Sequence, residues 1–203
     1  MAAVATQHPL VAHKTVLVLL PPREFAHRIN PFRRVHDKSA LRWTAHITLT
    51  FPFVEPKFLP ETVASLRDIV KDIQPFKLRL DTVESFSMSG YDTVHLTVAR
   101  QEDQRDVQRL WKTLADALGY RGRPFKPHMT LGQAPNRNNL EALQFLNAKA
   151  QRVLLSVKEL DWTVGQSQYN MIIDISSDLV ASRNRQRSCF EEGRVGRRNH
   201  EVL

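Results

Sequence analysis

The feature that most constrains this chain is a strand-like pattern that occurs twice, each time around a His-x-Thr triplet. One copy lies in RWTAHITLTFPF and the other in FKPHMTLGQ. Side chains alternate between the two faces of a strand, so His46 and Thr48 share one face, and His128 and Thr130 do so in the second copy. The intervening residues are apolar. The sequence therefore predicts two strands that each have one buried face and one polar face.

The spacing of the two motifs indicates an internal pseudo-repeat. His46 and His128 are 82 residues apart, and so are Thr48 and Thr130. We expect the two halves to fold so that the motif strands face each other across a groove.

Hydrophobic periodicity predicts mixed helices and strands, which favours an α+β fold over a doubly wound parallel sheet. A long basic loop with prolines is predicted between the first two strands, as far as Arg42. Ser89-Gly90 signals a hairpin turn, Gly119 a helix end and Asn139 a helix cap. The predicted strands are Thr15–Leu20, His46–Phe51, Phe76–Val83, Thr93–Val98, Pro127–Gly132, Arg152–Val164 and Gln168–Ile175, and the predicted helices are Pro60–Ile73, Glu102–Leu118 and Asn139–Ala150.

The organisation along the chain predicts one folded domain over residues 15–180, with flexible segments at 1–14 and 181–203. The last segment is rich in Arg, Asn, Ser and Glu and has little apolar periodicity. No apolar run approaches the roughly 18 residues of a membrane helix, and the N-terminus does not resemble a secretion signal. Cys189 is the only cysteine, which excludes an intramolecular disulfide. We therefore expect a cytoplasmic protein, with the nucleus as an alternative, and no membrane contact.

The net charge of +8 is unevenly placed. Residues 22–42 hold six Lys or Arg against two acids, and residues 121–126 hold three with no acid. Both clusters lie just upstream of a His-x-Thr motif, and such a field suits an anionic substrate.

The residue types in the motifs point to acid–base chemistry. Two imidazoles with near-neutral pKa values can act as general acid and general base in one reaction, each contributing about 10² to 10⁴ in rate. Threonine hydroxyls beside them can donate to phosphate oxygens. Neither His has the Cys or acidic cluster of a metal site nearby in the sequence. The pattern predicts phosphodiester cleavage without a metal or other cofactor.

A third copy of the triplet, His95-Leu96-Thr97, is interpreted differently. It lacks the proline-containing flanks of the other two and its spacing fits no symmetric arrangement. We expect His95 and Thr97 to lie on a polar strand face opposite buried Val94, Leu96 and Val98, with no role in the reaction.

Four stretches in order, LVLLPP, HITLTFPF, FKPHMTLGQ and LDWTVGQSQYNMIIDI, make this sequence similar to the two-histidine (2H) phosphoesterase superfamily. The likeness spans residues 15–175 and is greatest to the 2′-5′ RNA ligase-like, RNA 2′,3′-cyclic phosphodiesterase branch. It implies a bilobal fold with two pseudo-symmetric lobes whose antiparallel sheets line a central groove. It also implies metal-free hydrolysis of RNA 2′,3′-cyclic phosphates or related 2′-5′ nucleotide linkages. By this resemblance His46 is the proton donor and His128 the proton acceptor, with Thr48 and Thr130 on the phosphate.

One position departs from that family. Many relatives carry a basic residue shortly after the second motif, where this chain has Gln133. Either the positive charge beside the phosphate would then come from Lys126, Arg123 or Arg42, or the activity would be weaker.

Aromatic residues near the motifs are candidates for contact with a base. Trp43, Phe51 and Phe125 flank the motifs, where they could stack on a base or form the groove wall. Tyr169 resembles a tyrosine on the family's last strand and is expected either to line the groove or to pack.

The sequence thus predicts a monomeric phosphodiesterase that binds RNA or nucleotides. A non-catalytic nucleotide- or RNA-binding module that keeps the groove is the alternative, and Gln133 favours it. A structural protein whose basic tail is the working part is a third possibility.

Overall fold

The computed structural model describes residues 8–100, 102–122, 124–135 and 139–165. The predicted strand Gln168–Ile175 and the segment 181–203 lie outside these residues. The helices are α1 (Arg23–His36), α2 (Leu59–Val70), α3 (Arg105–Ala117) and α4 (Leu140–Val157), and the strands are β1 (Leu17–Leu19), β2 (Ile47–Thr50), β3 (Phe76–Lys77), β4 (Thr82–Met88), β5 (Tyr91–Thr97), β6 (His128–Pro135) and β7 (Thr163–Val164). Every strand pairing within these described residues is antiparallel. The mixture of helices and antiparallel sheets confirms the predicted α+β class.

The first motif belongs to a two-stranded sheet. Strand β2 pairs with β1, with Val18 opposite Thr48. Helix α3 packs against α2 and is joined to β2 by Trp111, whose Nε1 donates to the Leu49 carbonyl at 3.0 Å. Just before β1, Ala12 forms an antiparallel bridge with Phe53.

The second motif belongs to a three-stranded sheet in the order β4-β5-β6. Strands β4 and β5 form the predicted hairpin, whose turn holds Gly90 at φ 85°. Helix α4 packs against all three strands, and its Asn139 cap accepts a hydrogen bond from Ala142 N at 3.0 Å as predicted. Strands β2 and β6 belong to different sheets, yet residues of the two have Cα atoms within 8 Å of each other. The two motif strands are therefore neighbours.

Helix α1 corrects the predicted basic loop between the first two strands. Phe25, Ile29 and Arg33 recur every four residues and are all buried, which is the pattern of a helix with one packed face. Pro31 lies inside the helix. Although a proline removes one helical hydrogen bond, packing of α1 against β6 and α4 outweighs that loss.

Helix α4 corrects a second prediction, the strand Arg152–Val164. The helix continues to Val157 because Leu146, Ala150, Leu154 and Val157 form one buried stripe at helical spacing. Only Thr163 and Val164 of the predicted strand are in β7.

The predicted strand Phe76–Val83 is divided between two sheets. Its alternation is confirmed, since Phe76, Leu78 and Leu80 are buried while Lys77, Arg79 and Asp81 are exposed. However, β3 pairs with β7, whereas β4 begins at Thr82 and pairs with β5.

One close approach brings α1 onto the second motif strand. A Cβ atom placed on Gly132 would lie 2.7 Å from the Cβ of His36 and 2.9 Å from its carbonyl oxygen. Such distances are too short for real atoms, so only glycine at this position lets the end of α1 contact β6.

Among the helices of the described residues, none is long and apolar enough to cross a membrane.

Candidate active site

Both motif strands show the predicted alternation. The four motif side chains are partly exposed: His46, Thr48, His128 and Thr130. The apolar residues between and after them have at most 3% of their surface exposed: Ile47, Leu49, Met129 and Leu131. Each strand thus buries one face in the core and presents an imidazole and a hydroxyl on the other.

The two imidazoles are anchored in the same way. His46 Nδ1 lies 2.7 Å from the carbonyl oxygen of Thr44, and His128 Nδ1 lies 2.8 Å from that of Lys126. In both cases the acceptor is two residues before the histidine. Because a carbonyl oxygen can only accept, Nδ1 carries the hydrogen in each neutral ring, and Nε2 keeps its lone pair. The local backbone therefore leaves the same nitrogen of both rings, Nε2, with its lone pair available.

The surroundings of His46 favour its neutral form. Burial among protein atoms lowers the pKa of His46 to about 4, and the charges of Arg33 and His128 act in the same direction. The hydrogen bond to Thr44 and the carboxylate of Asp37 partly oppose this decrease in pKa. His46 is therefore neutral at pH 7 in the free protein. The influence of His128 also means that the two rings are close enough for their charges to interact.

A buried ion pair at the end of α1 lies near His46. Arg33 donates to Asp37 Oδ2 through Nε at 3.0 Å and also through Nη2, and both side chains are almost fully buried. Gln133 connects this pair to β6: its Nε2 donates to Asp37 Oδ1 at 3.2 Å, and its Oε1 accepts from Lys38 N at 2.9 Å. The residue that departs from the family pattern thus joins α1 to the second motif strand.

His128 has a different set of neighbours. Its ring is in edge contact with Phe86 and with His95, at centroid distances of 5.5 Å and 5.3 Å. Beside it, Lys126 Nζ forms an exposed ion pair with Glu84 at 2.8 Å. The proposed phosphate-binding lysine therefore already has an acidic partner.

The structure corrects the prediction that His95 and Thr97 lie on a polar, solvated strand face. Val94, Leu96 and Val98 are buried as predicted, but His95 and Thr97 have only 1% of their surface exposed and do not form a solvated face. Strand β5 is buried on both faces, because Val94, Leu96 and Val98 lie in the hydrophobic core and the rings of Phe86 and His128 pack against His95 on the other side. Its pairing with β6 brings His95 to the site, and no local sequence signal specifies that pairing.

The other predicted substrate-binding residues are placed as follows. Trp43 is tilted against His46 at 5.9 Å, and Phe51 is 43% exposed with its ring edge-on to His13 at 5.4 Å. Phe125 stacks on Trp111 at 5.4 Å, so one of its faces is already covered.

Among the predicted basic residues, Arg42 is exposed. Arg123 and Tyr169 lie outside the described residues, and their roles stay predictions.

No group of three or more His, Cys, Asp or Glu that could hold a metal ion occurs within the described ranges. The metal-free reaction itself stays a prediction.

One family model and several known proteins are similar to this chain in sequence. The model of the 2′-5′ RNA ligase superfamily matches residues 21–166, which include both His-x-Thr motifs. A protein of Staphylococcus aureus (strain JH1) named "Putative phosphoesterase" is 23% identical over 126 residues, covering 62% of this chain and 73% of that protein. One of the same kind from Halalkalibacterium halodurans is 27% identical over 120 residues, covering 58% and 68%.

Solved structures of E. coli LigT are also similar. The apo form has a TM-score of 0.43 and 23% identity and covers 62% of this chain and 74% of that one. The complex with 3′-AMP has a TM-score of 0.44 and 22% identity, with coverages of 63% and 76%. The family match spans most of the chain and both motif strands, and it confirms the resemblance seen in the sequence. This protein belongs to the 2′-5′ RNA ligase superfamily, within the two-histidine phosphoesterases.

Proposed function

We propose that this protein is a metal-independent phosphodiesterase that cleaves RNA 2′,3′-cyclic phosphate ends or related 2′-5′ nucleotide linkages. The observation that supports this most is the matched anchoring of two imidazoles at the starts of neighbouring strands, with His46 directly before β2 and His128 as the first residue of β6. Each Nδ1 is held by a backbone carbonyl, which leaves each Nε2 for the reaction. Two such groups are what acid–base cleavage of a phosphodiester needs.

In the proposed step, one imidazole Nε2 removes a proton from water as the water oxygen attacks phosphorus. The bond from phosphorus to a ribose oxygen breaks, and the other imidazole donates a proton to that oxygen. Thr48 and Thr130 donate hydrogen bonds to the non-bridging oxygens. Each imidazole then returns to its starting state by exchanging one proton with solvent.

The family resemblance gives the donor role to His46 and the acceptor role to His128. A neutral His46 cannot donate, so this assignment requires the bound phosphodiester to raise the pKa of His46. The negative charge of the phosphate acts in that direction, because an anion stabilises a nearby imidazolium. Binding of the substrate would thus create the acid that its own cleavage uses.

The test is turnover of 2′,3′-cyclic AMP and of a short RNA with a cyclic phosphate end, in the presence of EDTA. We expect His46→Ala and His128→Ala each to lower kcat by about 10² to 10⁴. His27→Ala, which removes an exposed imidazole from α1, is the matched control and should leave kcat unchanged.

Full activity in either active-site variant would exclude the two-histidine mechanism. Binding of the nucleotide without turnover, unaffected by both substitutions, would instead support a non-catalytic nucleotide- or RNA-binding module.

A further inference from the structure

The third His-x-Thr triplet lies directly beside the second one. Strands β5 and β6 are antiparallel, with His95 opposite Thr130 and Thr97 opposite His128. Directly opposed residues in a sheet project to the same face. The side chains of both triplets therefore lie on the same face of the sheet. The histidine of each triplet is opposite the threonine of the other.

Three rings form a closed cluster on this face. Phe86 lies 5.1 Å from His95 and 5.5 Å from His128, and the two histidine rings are 5.3 Å apart. His95 and Phe86 thus bound the ring of His128 on two sides. Since its Nδ1 is also held by the Lys126 carbonyl, little freedom is left for rotation of this ring.

Thr97 holds the backbone that precedes His128. Its Oγ1 donates to the Pro127 carbonyl at 2.7 Å, in a fully buried position. The next carbonyl toward the N-terminus, that of Lys126, accepts from His128 Nδ1. Two successive peptide groups before the histidine are therefore fixed, one by Thr97 and one by the histidine itself.

His95 cannot exchange protons with a substrate in this arrangement. Only 1% of its surface is exposed, and its Nε2 is buried with no hydrogen-bond partner in the part of the chain that the structure describes. Its Nδ1 makes only a long contact of 3.4 Å with the Thr93 carbonyl. A group that neither solvent nor substrate reaches can act only through its neighbours.

The charged groups around His95 are His128, Lys126 and Glu84. Burial, followed by the charge of His128, lowers the pKa of His95 to about 4, while Glu84 opposes this and Lys126 adds to it. His95 is consequently neutral at pH 7. A neutral ring can lie against His128 without repelling it when His128 is protonated.

We propose that His95 and Thr97 are positioning residues for His128: the His95 ring holds the imidazole in place, and the Thr97 hydroxyl holds the backbone before it. The expected effect on turnover depends on the proposed phosphodiesterase function. The effect on the ring of His128 does not.

The test combines kinetics with NMR of the free protein. We expect His95→Ala to lower kcat about tenfold or more while KM changes less than about twofold, because misplacement of a catalytic group affects the chemical step. In ¹⁵N NMR, the His128 ring should change from the Nδ1–H tautomer to a mixture, because a ring that is free to rotate no longer keeps its hydrogen bond to the Lys126 carbonyl. His95→Phe keeps a neutral ring in contact and should restore kcat to within about threefold of the original protein.

Thr97→Val tests the second contact and covers the case in which His95→Ala does not fold. We expect it to lower kcat about threefold or more and to shift the His128 signals. Thr62→Val is the matched control, since Thr62 is equally buried but lies in α2. It should change neither kcat nor the His128 signals.

Folded His95 and Thr97 variants with unchanged kcat and unchanged His128 signals would overturn the proposal. A His95→Phe variant as inactive as His95→Ala would also overturn it, because the imidazole itself would then take part. If the unsubstituted protein turns over no cyclic phosphate, the proposed function fails. The positioning proposal is then tested by the His128 tautomer in His95→Ala alone. A changed tautomer supports the positioning role, and an unchanged tautomer overturns it.

Discussion

The two motif strands hold the same residues in the same way but in different surroundings. In both, the imidazole Nδ1 is bound to a carbonyl two residues earlier, at 2.7 Å and 2.8 Å. His46 then lies near the buried pair of Arg33 and Asp37. His128 lies in a cluster of rings beside an exposed ion pair.

This difference teaches that the motif and its surroundings determine separate properties. The His-x-Thr pattern and its backbone select which nitrogen is available. Residues remote in sequence determine the protonation of one ring and restrict the rotation of the other. Two His-x-Thr triplets with the same local anchoring therefore differ in the environment of their imidazoles.

The largest expected effect comes from breaking the buried pair on the His46 side. We expect Asp37→Ala to lower the free energy of unfolding by about 3–5 kcal/mol, because it leaves the Arg33 charge buried without a partner. It should also lower the pKa of His46 further, since the opposing carboxylate is gone. Urea unfolding and NMR titration of the His46 ring measure the two effects.

Glu24→Ala is the matched control for this variant. Glu24 pairs with Arg28 on the same helix at the same four-residue spacing, but that pair is exposed. The loss should be less than about 1 kcal/mol. Equal losses in Asp37→Ala and Glu24→Ala would contradict the importance of burial.

An intermediate effect is expected on pH dependence. His46 and His95 have folded-state pKa values of about 4 against 6.5 for the free side chain. The unfolded chain therefore binds more protons between these values, and stability should decrease as the pH falls from about 6.5 to about 4. Thermal unfolding at several pH values in this range measures the change in stability, and His95→Phe should weaken the pH dependence of stability. A stability that is flat over this range would show that neither pKa is lowered.

The same titration sharpens the comparison between the two motifs. Saturating inorganic phosphate should raise the pKa of His46 as seen in its ring NMR signals, with His46→Ala used to assign them. An unchanged pKa in phosphate would remove the basis for His46 as the proton donor.

The smallest effect is expected on the His128 side. Lys126→Ala should change the free energy of unfolding by less than about 1 kcal/mol, because its pair with Glu84 is exposed. If Lys126 turns from Glu84 to the phosphate, KM for the cyclic nucleotide should rise a few-fold with kcat unchanged. Lys112→Ala, which removes an equally short exposed pair in α3, should leave KM as it is. Identical KM values in the two variants would exclude Lys126 from substrate binding.

The motif strands were predictable because burial on one face imposes a period of two that the sequence displays. The alternation around His46 and His128 needs no knowledge of distant contacts. The hairpin turn and the Asn139 cap were also local signals, fixed by the chemistry of one or two residues.

Helix α1 was missed for a physical reason. The charges of this segment and Pro31 indicate a loop, whereas the spacing of Phe25, Ile29 and Arg33 is that of a helix with one buried face. Recognising it required accepting an arginine at a buried position, which is favourable only because Asp37 pairs with it. Such a pair can be evaluated only once the helix is assumed.

The burial of His95 was mispredicted because it depends on strand pairing. A buried histidine and a solvated one look alike within a single strand. Whether His95 is buried depends on the register of β5 against β6, and that register follows from packing of the whole sheet.

The missing side chain at Gly132 has a consequence for communication between the two motifs. It lets α1 come close enough to β6 for Gln133 to reach Asp37, across a hydrogen bond of 3.2 Å. A methyl group there would push the helix outward, and a displacement of a few tenths of an ångström would weaken that bond. The Arg33–Asp37 charges would then move relative to His46. The absence of a side chain at Gly132, on the second motif strand, thus influences the electrostatic environment of His46 in the first motif.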